Sequence, residues 1–249
     1  RTAGLLLKAA LSQRGILVKG EVKLKVREAI ETLEGREPSP LPESLGDLSV
    51  SKDPPVASIQ GLPIVESLKI MMKESQNLYA ECLLRLLGAR TSGEGSIETG
   101  LAALAKFMAK TGTPENNLKI NDASGISRKN LVTPDSLVKV LVYMDHHPLR
   151  EKFLDMFPVA GKDGSLRTRF QSTPAAGHIQ AKTGTMEGIS TLSGYATTRQ
   201  GSRLAFSLMM NNGVGAQQDV RDALDQICVW IVDWSPKPQA TPKPIGQAQ

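Results

Sequence analysis

The last third of the chain constrains it most. His178 to Ala181 leads into Lys182-Thr183-Gly184-Thr185, and two further strand-like runs follow at Ile189 to Thr197 and Leu204 to Met210. A turn at Gln200-Gly201 joins those two runs, which sets them antiparallel. Val220, Leu224, Ile227 and Ile231 then recur at helical spacing, giving a closing helix with one apolar stripe to bury. A β-β-β-α order of this kind predicts an antiparallel sheet covered by a helix, with the Lys-Thr-Gly strand in the sheet.

Upstream the periodicity is helical. Pro63 starts a helix in which Val65, Leu68 and Met72 share a face, and a second helix after Ser75 presents Tyr79, Leu83, Leu86 and Leu87 before ending at Gly88. Ile97, Leu101, Leu104 and Met108 form a third helix closed by Gly112. Thr133 as N-cap and Pro134 as first residue open a fourth, with Leu137, Leu141 and Met144 inward. Ser75-Gln76-Asn77 therefore falls at a helix junction. Residues 1 to 60 read differently: a short helix through Leu5, Leu6, Ala9 and Ala10 stops at Gly15, and Ile16 to Val18 and Val22 to Val26 alternate like strands. A stretch from Glu34 to Pro55, punctuated by Pro38, Pro40, Pro42, Pro54 and Pro55, then reads as a linker.

Three parts are expected. Residues 1–60 are the end of a small αβ domain plus the Pro-rich linker, 61–235 are a partial larger domain, and 236–249 are a disordered Pro-, Lys- and Gln-rich tail. The expected fold class is α/β: an antiparallel sheet with the closing helix on one face and an all-helical region, 63–145, on the other.

Composition removes several function classes. Net charge is +5, but Lys and Arg are spread along the chain and aromatics make up only 4%, so nucleic-acid binding gets no support. His146, His147 and His178 are not at ligand intervals, and Cys82 and Cys228 each sit in an apolar helical pattern where core packing is expected, so neither metal nor cofactor is expected. No apolar run reaches eighteen residues, and any export signal is expected upstream of Arg1.

The motifs suit acyl transfer from a peptide, which needs a nucleophile, a proton acceptor, a donor for the leaving amine and amides for the oxyanion. Lys182 would place an ammonium beside the reacting centre, and Thr183 and Thr185 offer hydroxyls to a terminal carboxylate. Gly184 lets an extended substrate lie against the strand, so that the amide of Thr185 points at the oxyanion. A Ser75 hydroxyl would relay a proton to the departing amine, and the Asn77 amide would hold the acylated peptide bond. Lys-Thr-Gly arises by chance in on the order of one chain in twenty of this length, and Ser-x-Asn in roughly every second one. Order and context therefore carry the reading more than either motif alone.

The stretches Lys73-Glu74-Ser75-Gln76-Asn77-Leu78-Tyr79-Ala80-Glu81, Asp122-Ala123-Ser124-Gly125-Ile126-Ser127-Arg128-Lys129-Asn130 and Ala181-Lys182-Thr183-Gly184-Thr185 resemble the D-alanyl-D-alanine carboxypeptidase/endopeptidase family of class C, type-4 penicillin-binding proteins. The resemblance implies a β-lactamase/transpeptidase-like fold and a serine-type peptidase of the cell wall, periplasmic or otherwise extracytoplasmic. By the same resemblance it would act on peptidoglycan stem peptides, with β-lactams as covalent inhibitors. Ser75 and Asn77 would form the second motif and Lys182 the third, Thr183 and Thr185 would grip the C-terminal carboxylate, Ile126 and Arg128 would line the cleft, and Met186 would sit beside the donor side chain. Arg128 also fits a structural ion pair. Ala123 stands where the family usually has Gly, and Ile126 where it usually has Leu.

The family's nucleophilic Ser-x-x-Lys is the departure. Ser49-Val50-Ser51-Lys52 matches the spacing but lies in the Pro-rich linker without an amphipathic helix, and is read as coincidence. A missing N-terminal segment is expected to supply the nucleophile. The rival reading is a non-catalytic protein that binds peptidoglycan peptides through Lys182, Thr185 and Arg128; a β-lactamase relative fits the leading αβ unit less well.

Overall fold

A computed structural model describes residues 8–9, 11–15, 61–213 and 215–235. The first 39 residues form one compact unit and the remainder a second. In the first, residues 8–9 and 11–13 are helical and Gly15, at φ +77°, ends the helix as anticipated. The strands expected at 16–26, the linker, Ser49 to Lys52 and the tail lie outside the described residues.

Among the described residues, the second unit begins with α1 (Ile64–Glu74), α2 (Asn77–Ser92) and α3 (Ile97–Lys110). Local chemistry sets the start of α3: Ser96 caps it by accepting from the Thr99 amide. A two-stranded antiparallel pair follows, β1 (Leu118–Lys119) with β2 (Leu131–Val132), so the region expected to be all-helical carries a small hairpin. Two residues per strand leave too short a period to read from sequence. Next come α4 (Pro134–Asp145), capped by Thr133 as expected, and α5 (Arg150–Asp155), whose six residues gave no periodic signal.

The sheet is β3 (Ile179–Met186), β4 (Ile189–Thr197) and β5 (Arg203–Asn211), antiparallel in the order β3-β4-β5, followed by α6 (Gln217–Asp233). The strand runs through the Lys-Thr-Gly motif, Lys182 pairing with Ser193 and Gly184 with Thr191 on the central strand. One face of the sheet holds Ile179, Ala181, Leu192, Ala196 and Phe206 against Cys228 and Val232 of α6. Removing a side chain the size of Leu192 or Ile179 from water contributes about 1.5–3 kcal/mol. The other face places Tyr195 among Leu141 of α4, Leu154 of α5 and Phe157. The Tyr195 hydroxyl donates to the Leu141 carbonyl at 2.6 Å, and burial, reinforced by the Asp145 charge, pushes its pKa up to about 12. The expected α/β arrangement is thus present, with α6 on one face and α4 on the other.

Three details of burial differ from the sequence reading. Along α6 the buried stripe is Leu224, Cys228 and Val232, one position on from Ile227 and Ile231. In α2 the buried residues are Leu84 and Gly88, while Tyr79 and Leu87 are exposed, because the helix is covered chiefly by α3, which crosses closely at Gly88 and Gly100. A Cβ on Gly100 would come within 2.3 Å of the Leu84 carbonyl oxygen. Cys82 consequently faces solvent, contrary to the core packing expected of it, whereas Cys228 is buried and its thiol is pushed up to about 12, chiefly by that burial.

Candidate active site

Two elements remote in sequence meet at one pair of atoms. Lys182 lies on β3, an edge strand, and Ser75 on the junction between α1 and α2; the Lys182 Nζ donates to the Ser75 Oγ at 2.7 Å and to the Thr183 carbonyl at 2.8 Å. Ser75 adopts the left-handed conformation, φ 57° and ψ 48°, which costs a non-glycine residue about 1–2 kcal/mol. That backbone reverses the chain between the helices and turns the hydroxyl toward β3. Lys182 is half-buried, and burial, with no carboxylate bonded to its Nζ among the described residues, lowers its pKa from the ordinary lysine value.

Strand geometry decides which groups of β3 face outward. Ile179 and Ala181 bond away from β4, to the Ala160 amide and the Pro158 carbonyl respectively. By the two-residue period, the amides and carbonyls of Thr183 and Thr185 also point to the outer edge, where no further strand lies among the described residues. An extended peptide placed there would extend the sheet. Gly184 has a reason beyond the one read from sequence: a Cβ would come within 2.4 Å of the Thr191 hydroxyl across the ladder, so a larger residue there would have to displace that side chain.

The junction at Ser75 is held by polar contacts. Lys73 pairs with Asp163, whose other oxygen accepts from the Val159 amide at 2.8 Å, and Glu74 pairs with Arg167 at 2.9 Å. Between those anchors, a tight turn, Gly164–Leu166, abuts the Lys73 backbone, and Ser165 accepts from the Thr183 hydroxyl at 2.8 Å. Sequence reasoning assigned no role to Asp163, Ser165 or Arg167, and nothing local to them carried a signal.

The loop bearing Ile126 and Arg128 is fixed from α2. Glu81 accepts from the amides of Ala123 and Ser124 at 3.0 and 2.9 Å. Asp122 accepts from the Gly125 and Ser127 amides and from Asn130. Burial would raise the Asp122 pKa, but the Asn130 side chain and the two amides outweigh it and hold the carboxyl below its ordinary range. Ile126 is 56% exposed. Arg128 pairs with Glu187 at 3.4 Å, both exposed, which brings this loop beside the end of β3. The Met186 carbonyl there accepts from Gln217 at 2.7 Å. Of the residues singled out in sequence, Ser75, Lys182 and Thr183 are joined directly; Gly184, Thr185 and Met186 continue the same strand; and Asn77 is exposed at the first turn of α2 with no side-chain hydrogen bond to the rest among the described residues.

A second Ser-x-x-Lys, Ser136-Leu137-Val138-Lys139, goes beyond the one weighed above, and its surroundings are structural. Ser136 is fully buried in the first turn of α4, bonded to the N-cap Thr133, and Lys139 pairs with Asp135 at 2.8 Å.

A model of the D-Ala-D-Ala carboxypeptidase 3 (S13) family matches residues 1–231. A D-alanyl-D-alanine carboxypeptidase of Actinomadura sp. strain R39 is 35% identical over 228 residues, covering 89% of this chain and 39% of that protein. The crystal structure of penicillin binding protein 4 of Haemophilus influenzae, in complex with a β-lactam, superposes with a TM-score of 0.61 at 31% identity over 68% of this chain and 40% of that one. The TLA-3 extended-spectrum β-lactamase, 19% identical with a TM-score of 0.53 over 69% of this chain and 64% of that one, shares the fold. The chain spans about two fifths of the length of the relatives it matches. It belongs to the D-Ala-D-Ala carboxypeptidase 3 (S13) family.

Proposed function

We propose, starting from that membership, that the chain supplies the second and third motifs of an extracytoplasmic serine-type D-Ala-D-Ala carboxypeptidase or endopeptidase acting on peptidoglycan stem peptides and acylated by β-lactams. A Ser-x-x-Lys segment outside these residues supplies the nucleophile. The observation that carries the reading is the 2.7 Å contact between Lys182 and Ser75, 107 residues apart.

In the reaction the upstream serine oxygen bonds to the penultimate D-Ala carbonyl carbon, its proton passing to the partner lysine. The Thr185 amide, on the outward edge of β3, stabilises the oxyanion. As the C–N bond breaks, the leaving amine takes a proton through the Ser75 hydroxyl, which Lys182 holds and polarises. Asn77 bonds the acylated peptide, and Thr185 binds the terminal carboxylate together with Thr183, whose hydroxyl is bonded to Ser165 when no substrate is there. Water then hydrolyses the ester. Arg128 meets the substrate from the Glu81-anchored loop, exchanging its exposed Glu187 partner for it at small cost.

Fluorescent penicillin labelling of a polypeptide carrying this chain with its Ser-x-x-Lys segment tests the proposal. Lys182→Ala should lower the acylation rate by orders of magnitude while the fold persists. Labelling at an unchanged rate in that variant refutes it. A protein that binds the peptide yet never labels is instead the non-catalytic binder.

A further inference from the structure

We infer that Ser165 is a further specificity-determining residue of this site, a hydroxyl donor to the carboxylate at the substrate's C-terminus, paired with Thr183. The inference rests on the peptidase reading above. Its basis is the construction of the turn that carries the residue. Gly164 and Leu166 on either side are buried, while Ser165 between them is exposed. Gly164 has φ +54°, and a Cβ there would come within 2.7 Å of the Lys73 carbonyl oxygen, so the turn is seated against the last residues before Ser75. The Gly164 carbonyl accepts from Arg167 Nε at 3.0 Å, which fixes the turn on its far side.

The direction of its hydrogen bond says what it can take. Ser165 accepts the Thr183 proton at 2.8 Å, and no acceptor receives its own proton among the described residues. The unused O–H is a donor, and a carboxylate is an acceptor-only group. Its partner Thr183 follows Lys182 on β3, and the Lys182 ammonium donates to the Thr183 carbonyl, so an anion arriving there meets a donor chain from Thr183 through Ser165 beside a positive charge.

Calorimetric titration of the chain with diacetyl-L-Lys-D-Ala-D-Ala, and with the same peptide ending in a carboxamide, tests this. The native chain should bind the acid more tightly than the amide. Ser165→Ala should cut that preference about tenfold, the size of one hydrogen bond to a charged group, and Ser165→Thr, which restores a hydroxyl, should recover it. An Ala variant that keeps the native preference, while Lys182→Ala abolishes binding, overturns the assignment of Ser165 and leaves the peptidase reading standing. A native chain that binds the acid and the amide equally tightly also overturns the assignment of Ser165.

Discussion

The two halves of the site are held by different forces. Lys182 is positioned by a strand whose alternate residues, Ile179 and Ala181, are completely buried and whose register is set by a full ladder to β4. Ser75 sits at the end of a helix with no fully buried residue, in a strained backbone conformation, anchored by ion pairs to Asp163 and Arg167. Apolar packing makes the strand half a property of the whole fold. The helical half depends on a handful of charged contacts that are individually weak, so it should yield locally before the molecule unfolds.

The largest expected effect breaks the strand half. Leu192→Ala empties a fully buried position beside Ala181 and should cost about 2–5 kcal/mol, read as a fall in the midpoint of denaturant unfolding. A loss under about 1 kcal/mol would mean the sheet is not the stabilising unit. Glu81→Gln sharpens the contrast from the other side. It weakens two charge-assisted bonds to the Ala123 and Ser124 amides, worth about 1.5–3 kcal/mol. Hydrogen exchange should accelerate at those two amides and leave the amides of β4 unchanged. Uniform acceleration through β4 would show that the halves are not separable.

The smallest effect is a titration. Asp122 is held below the ordinary aspartate value of 3.8 by hydrogen bonds that outweigh its burial. A depressed carboxylate stabilises the folded loop above 3.8 and loses that contribution as pH falls through the folded value. The amide resonances of Gly125 and Ser127 should therefore shift with a midpoint below 3.8, while those of β4 stay put. A midpoint at or above 3.8 contradicts the hydrogen-bond account.

The same division explains what could be read from the residues alone. Strands alternate and helices recur every three to four positions, so β4, β5, α3 and α4 were legible in Leu192, Phe206, Met108 and Leu141. The caps Ser96 and Thr133 are local chemistry, and Thr133 was visible for that reason. On α2 and α6 the period identified the helix but not its inward side, since Leu84 and Cys228 are buried by neighbours that a single helix does not specify. The motif residues Ser75 and Lys182 were found by type and order. Asp163, Ser165 and Glu81 were not, because each acts on a group at least 18 positions away and carries no pattern of its own.

Whether the two halves act as one site is decided by a double-mutant cycle on the rate of β-lactam acylation, with Ser75→Ala, Lys182→Ala and their combination in the polypeptide that includes the Ser-x-x-Lys segment. If Lys182 works through the Ser75 hydroxyl, the double variant should be hardly slower than the slower single one. Losses that multiply would mean that the serine and the lysine act independently, and would contradict a single site built on their contact.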